Sequence, residues 1–172
     1  MKQLLYLDQH ELGYTHSDDR EVDYHRQAAR CVVRDETGRI ALMYFARDEF
    51  YKLPGGGVDG GESLHDALAR EVREEAGVEI TDIVELGIVE EDRYYCGMHQ
   101  TSYCYQARVA SEVDFSRTDE EAAAGMELRW VDDIDTAITL IRDSEGRDEE
   151  GSGIGLVMMK LREEAILRAA TR

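Results

Sequence analysis

Residues 53–80 read LPGGGVDGGESLHDALAREVREEAGVEI, with five glycines ahead of a helical stretch that crowds Glu71, Glu74 and Glu75 together. Like charges three and four residues apart on a helix repel by roughly a few tenths of a kcal/mol per pair. Gly77 is a natural stop just past the last turn of that helix. At about 100° per residue, the three acids fall within roughly a third of the helix circumference. Leu68, Val72 and Ala76 form an adjoining apolar stripe that can face a core. The carboxylates therefore border buried structure and can converge. A divalent cation would remove the repulsion between them: hard cations such as magnesium take oxygen ligands, and a glycine lets a backbone carbonyl approach as one more donor. A solvated acidic face is the other reading of the same charges.

Two phosphate-binding motifs compete for the glycines. Gly55, Gly57 and Gly60 satisfy the dinucleotide pattern G-x-G-x-x-G. That pattern should follow the first strand of a βαβ unit, whereas the residues ahead of it read as a hairpin. Asp59 and Glu62 would also oppose a pyrophosphate at the helix start. A nucleoside-triphosphate P-loop fails as well, because no Lys-Ser or Lys-Thr follows the glycines.

Outward from this segment, RQAARCVVRDETGRIALMYFA (26–46) reads as two strands joined by a turn at residues 35–38. Downstream, 78–95 and 100–110 read as two more strands, 126–133 holds a short strand, and 133–143 a helix. Residues 144–153 form a charged connector. Ile154, Met158, Leu161 and Ala165 sit at helical spacing in a closing helix whose stripe is expected to pack on the core. Strands interleaved with helices, including an antiparallel hairpin, imply an α/β fold with a mixed sheet.

At 172 residues, one domain is the simplest expectation. Asp and Glu number 38 against 20 Lys and Arg, a formal charge of −18, which argues against nucleic-acid polymers and anionic membranes as partners. Cys31, Cys96 and Cys104 form no CxxC pair and read as free thiols of a reducing compartment. The opening MKQLLYLDQHELG has an apolar run only from Leu4 to Leu7, shorter than a secretion leader needs. A soluble cytoplasmic protein is the expectation. No H-E-x-x-H or G-x-S-x-G is present to suggest a zinc protease or a serine hydrolase.

Residues 56–78 resemble the Nudix box, G-x5-E-x7-R-E-U-x-E-E-x-G-U, where U is a bulky aliphatic residue. Gly56, Glu62, Arg70, Glu71, Val72, Glu74, Glu75, Gly77 and Val78 fill all its fixed positions. The flanks KLPGG and LRWVDD are also similar to the family's. The resemblance implies the Nudix α/β/α sandwich, a mixed sheet between helices, over residues 26–172, with 1–25 an N-terminal extension packed on the domain. It implies metal-dependent hydrolysis of a pyrophosphate bond in a nucleoside diphosphate linked to another group, with Mg2+ or Mn2+. By position, Glu71, Glu74 and Glu75 would hold the metals, the Gly55 carbonyl would add a ligand, and Arg70 would orient a neighbouring glutamate. Glu71 or Glu74 would be the base, and Glu62 would anchor the loop. Glu120, Glu121 and Glu127 are candidates for a further carboxylate from a later loop.

Tyr94 resembles a tyrosine found beyond the box in dinucleoside polyphosphate hydrolases, where it would stack on a nucleobase; an ordinary strand tyrosine is the competing reading. No proline follows the box, unlike ADP-ribose hydrolases. Homodimers are common in the family. The alternative function is a catalytically silent Nudix-fold nucleotide-binding module or regulator. Such a module would be expected to lose box acids, and this chain keeps them.

Overall fold

Ala28 to Val33 form an unbroken buried run interrupted in character only by Arg30. A strand buried on both faces reads this way, apolar without alternation. The computed structural model describes residues 1–113, 125–146 and 153–170. The run lies in β2 (Tyr24–Arg34), which follows β1 (Gln3–Asp8). It leads through a turn to β3 (Ile40–Phe45), β4 (Phe50–Lys52) and the glycine strand β5 (Gly55–Gly57). Then come α1 (Leu64–Ala76), the long β6 (Val78–Arg93) and β7 (Met98–Glu112), β8 (Met126–Val131), α2 (Ile134–Asp143) and α3 (Ile154–Ala169).

The sheet is mixed, in the order β1-β6-β7-β2-β3-β4. β1 runs parallel to β6 and β2 parallel to β7, while β6/β7, β2/β3, β3/β4 and β3/β8 are antiparallel. β2 also takes β5 antiparallel along Ala28–Arg30, laying the glycines against the middle of the sheet. The hairpin turn is tied by Asp35, whose Oδ1 accepts from Thr37 and Arg39 N–H at 2.9 and 2.8 Å. Thr37 Oγ1 and Arg39 Nε donate to the same carboxylate at 2.8 and 2.7 Å.

One face carries Ala29, Cys31, Val33, Ala41, Met43, Tyr105 and Ala107 and packs on α1 through Ala67, Leu68, Val72 and Ala76. The other carries Val32, Ile40, Leu42, Val89 and Cys104 and packs on α2 and α3. The sheet therefore lies between helices, as expected. Among the described residues no helix is long and apolar enough to cross a membrane. Residues 1–25 supply β1, and Leu7 of that strand is buried against Ile154 and Met158 of α3.

The closing helix departs from the expected stripe. Ile154 and Met158 are buried, but Leu161 and Ala165 are only half-buried. Arg162 and Glu163 instead turn inward with Met159, Ile166 and Leu167. Two charged residues displace two apolar ones because they find buried partners, described below.

Candidate active site

Helix α1 begins at Ser63, whose Oγ accepts the Asp66 N–H at 3.1 Å. It ends at Gly77, whose φ of 67° lets its N–H reach back to the Arg73 carbonyl. Between these caps the apolar stripe anchors the helix to the sheet. This sets Glu75 inside the protein, Glu71 largely so, and Glu74 half-exposed.

Arg70 binds the box together. Its guanidinium donates to Glu62 at 2.8 Å, the Gly57 carbonyl at 3.0 Å, Glu71 at 2.8 Å and Glu74 at 3.2 Å. Glu62 also accepts from the Asp59 N–H at 2.7 Å, so it fixes the loop to the helix start. The hydrogen bond from Arg70 is the main reason its pKa is lowered. Burial raises the Glu71 pKa; Arg70 opposes this and the charge of Glu75 adds to it. The Glu71 carboxylate lies where a side chain on Gly56 would be: a Cβ there would sit 2.3 Å from Oε2.

Glu75 faces the glycine loop. Its Oε2 accepts the Gly55 N–H at 2.7 Å and its Oε1 accepts Lys52 Nζ at 2.7 Å. Lys52 Nζ also lies 3.4 Å from the Gly55 carbonyl oxygen, which takes a short hydrogen bond from buried Arg30 Nη1. The convergence of three carboxylates on one point, expected from helical spacing, is not what the structure holds. Arg70 gathers Glu71 and Glu74, while Lys52 takes Glu75. Among the described residues no three acidic, histidine or cysteine side chains form a ready metal cage. The donors nonetheless suit a hard cation: a buried carboxylate and a carbonyl already face positive charge, the Lys52 ammonium at both and the Arg30 guanidinium at the carbonyl, with the Glu71 carboxylate in Coulombic reach of Glu75.

Tyr94 is engaged within the fold. Its ring stacks on His10 at 4.0 Å between centroids and its hydroxyl donates to Asp8 at 2.8 Å. That bond is the first cause of a pKa pushed up to about 12. Glu127 is exposed on β8 and takes a short hydrogen bond from Arg129. Glu120 and Glu121 lie outside the described residues. Sequence reasoning passed over Lys52 and Arg30. Arg30 did leave a signal, as a lone charge in the apolar run of β2. Lys52 left its place as the first residue of the family-like flank KLPGG.

The family model described as the NUDIX domain matches residues 24–146. The chain belongs to the Nudix family. A Bacillus subtilis (strain 168) protein assigned as an 8-oxo-dGTP diphosphatase is 32% identical over 73 residues, 42% of this chain and 49% of that protein. An RNA pyrophosphohydrolase of Halorhodospira halophila (strain DSM 244 / SL1) is 36% identical over 56 residues, 33% of this chain and 31% of that protein. The chain thus spans about half and about a third of these curated relatives' own lengths, 49% and 31%. Among solved structures, a mutator MutT protein from Bacillus halodurans superposes with a TM-score of 0.55 at 21% identity, over 67% of this chain and 72% of that one. A NUDIX hydrolase from Nitrosomonas europaea gives 0.56 at 20% identity, over 80% and 86%. Both share the Nudix fold seen here.

Proposed function

We propose that this Nudix protein hydrolyses a pyrophosphate bond in a nucleoside diphosphate linked to another group, with Mg2+ or Mn2+ as cofactor. The observation that carries the reading is the Glu75–Gly55–Lys52 arrangement, a buried carboxylate and a carbonyl that hold the Lys52 ammonium within Coulombic reach of Glu71. The names of the two curated relatives, a diphosphatase and a pyrophosphohydrolase, support the same bond type.

Glu71, Glu74, Glu75 and the Gly55 carbonyl would hold the metal. Held there, a divalent ion would supply Lewis-acid chemistry, lowering the pKa of water and neutralising charge on phosphate oxygens. The chain's own residues do the rest. Arg70 fixes the Glu71 and Glu74 carboxylates, and one of these two accepts the proton of the attacking water. Gly56 leaves the space in which Glu71 sits.

The test is a panel of nucleoside diphosphate derivatives assayed with Mg2+, with Mn2+ and with chelator, scoring release of phosphate or a nucleoside monophosphate. Metal-dependent release is expected, and Glu74→Gln and Glu75→Gln should each lower turnover by roughly two orders of magnitude or more. Their circular dichroism should stay native. Unchanged turnover in both variants would remove the assignment. Metal-independent nucleotide binding with no release by the wild type would favour a silent binding module.

A further inference from the structure

The Gly55 carbonyl owes its place to backbone holds from several elements. The Pro54 carbonyl takes the Cys31 N–H of β2 at 3.0 Å, and the Gly55 N–H goes to Glu75 of α1 at 2.7 Å. The Leu53 N–H goes to Glu163 Oε2 of α3 at 3.2 Å. Proline has no N–H, so the Leu53 N–H is the next donor ahead of Gly55. Cys31 and Glu75 lie inside the matched family region, whereas Glu163 lies beyond its end at residue 146.

Hydropathy does not explain Glu163. It is fully buried, as is Leu53, on a helix face otherwise built from Ile154, Met158, Ile166 and Leu167. A leucine there would pack without the cost of burying a charge. A buried ion pair is often no more stabilising than apolar side chains of the same volume, so stability alone does not account for it. The charge is met by Arg162, whose Nε and Nη2 donate to Glu163 Oε1 at 2.9 and 2.7 Å while its Nη1 donates to Glu91 at 3.0 Å. The carboxylate oxygens therefore divide their partners: Oε1 faces Arg162 and Oε2 faces the Leu53 N–H. That N–H belongs to the peptide joining Lys52 to Leu53. One charge-assisted bond thus holds the backbone from which the Lys52 side chain departs on one side and Gly55 follows on the other. The Gly55 carbonyl in turn takes the short hydrogen bond from Arg30 and lies 3.4 Å from Lys52 Nζ.

We propose that Glu163 is a positioning residue for the metal site: by holding the peptide between Lys52 and Leu53, it sets the Gly55 carbonyl and the Lys52 ammonium against Glu75. The proposal rests on reading Gly55 and Glu75 as metal ligands, and its test separates the two. The full chain is titrated calorimetrically with Mn2+, with no nucleotide present. Wild type is expected to bind. In Glu163→Gln the amide offers one acceptor atom where the carboxylate offers two, so Arg162 and the Leu53 N–H cannot both be met. Mn2+ affinity should fall about ten-fold, as when a residue that orients a ligand is lost. Removing the competing guanidinium as well, in Arg162→Met/Glu163→Gln, frees the amide oxygen for Leu53 and should bring affinity back to within about three-fold of wild type. A merely structural role predicts a further loss instead, because the double variant is the more heavily altered. Ile166→Ala, which removes buried packing from the same helix, should bind Mn2+ like wild type. If Glu163→Gln does not fold, Arg162→Met/Glu163→Met, which leaves Leu53 no acceptor, takes its place with the same about ten-fold loss. Equal affinity in all variants, no recovery in the Met/Gln double variant, or an equal loss in Ile166→Ala would overturn the role of Glu163 alone. No Mn2+ binding by wild type would end the metal-site reading and this proposal with it. The expected pattern in a chain that releases nothing from any nucleoside diphosphate derivative would keep the role of Glu163 and end the hydrolase reading.

Discussion

A methyl group on Gly55 would lie 2.1 Å from the Ala29 carbonyl oxygen and 2.9 Å from Arg30 Cα, at a backbone φ of +131°. Both obstacles are backbone, so nothing can step aside and β5 cannot stay on β2. Gly55→Ala should cost about 3 kcal/mol or more, read from urea denaturation. At Gly56 the obstacle is different. The three atoms nearest to the added methyl all belong to the Glu71 carboxylate, at 2.3 to 2.5 Å, and that is the far end of a flexible side chain. Gly56→Ala should therefore melt within a few degrees of wild type yet lose about 10²-fold in kcat, because a displacement near 1 Å at a reacting centre costs that much. Wild-type turnover in Gly56→Ala would mean that the seat of Glu71 is irrelevant to the chemistry. Adjacent glycines thus separate a folding requirement from a functional one.

At the scale of elements, α1 owes its limits to two local devices about 20 Å apart along the helix axis. Ser63→Ala removes the acceptor for the Asp66 N–H and should cost about 1 kcal/mol. Gly77→Ala forces a side chain into a left-handed φ of 67° and should cost about 1–2 kcal/mol. Distant sites add, so the double variant should lose the sum in chemical denaturation; a much larger loss would show that the caps also hold the loops beyond them. This helix was legible in the sequence because its signals are local: a cap, a stripe of apolar residues at 3.6 spacing and a stop. So was the β2–β3 hairpin with its Asp35–Gly38 turn. The strand β1 was not, since its parallel partner β6 lies some eighty residues on and no turn announces the pairing. The inner face of α3 was misread because hydropathy assigns Arg162 and Glu163 to water, and only their nonlocal partners bring them inside. The site divides in the same way. The box acids, Arg70 and Gly55 could be named from one contiguous segment. Arg30, on another strand, and Lys52, just outside that segment, became visible only when the sheet brought them to the Gly55 carbonyl and Glu75.

For the whole molecule, the matched family region ends at residue 146, yet α3 beyond it is joined to the sheet and to the glycine loop by buried charge. Arg162 lies between Glu91 and Glu163, and Glu163 holds the Leu53 N–H two residues ahead of Gly55. Removing one partner of a buried ion network strands the others, so Arg162→Met should lose about 3–5 kcal/mol in urea denaturation at pH 7. The same network sets an acid response. Burial pushes the Glu91 pKa up, but the Arg162 and Arg93 guanidinium groups outweigh it and hold the carboxyl at about 2. An unfolded glutamate titrates near ~4.3. The folded state therefore binds this proton less readily, and its contribution is complete above the unfolded value and lost as pH falls from about 5 toward 2. Other carboxylates titrate in the same range, so the measurement is a difference. Denaturation of wild type and Glu91→Gln between pH 7 and pH 3 should show wild type more stable at pH 7 and the gap between them narrowing by roughly 2 kcal/mol on acidification. A gap that stays constant across that window would mean that the Glu91 carboxyl binds its proton equally well in the folded and unfolded chains, so that Arg162 and Arg93 do not hold its pKa down.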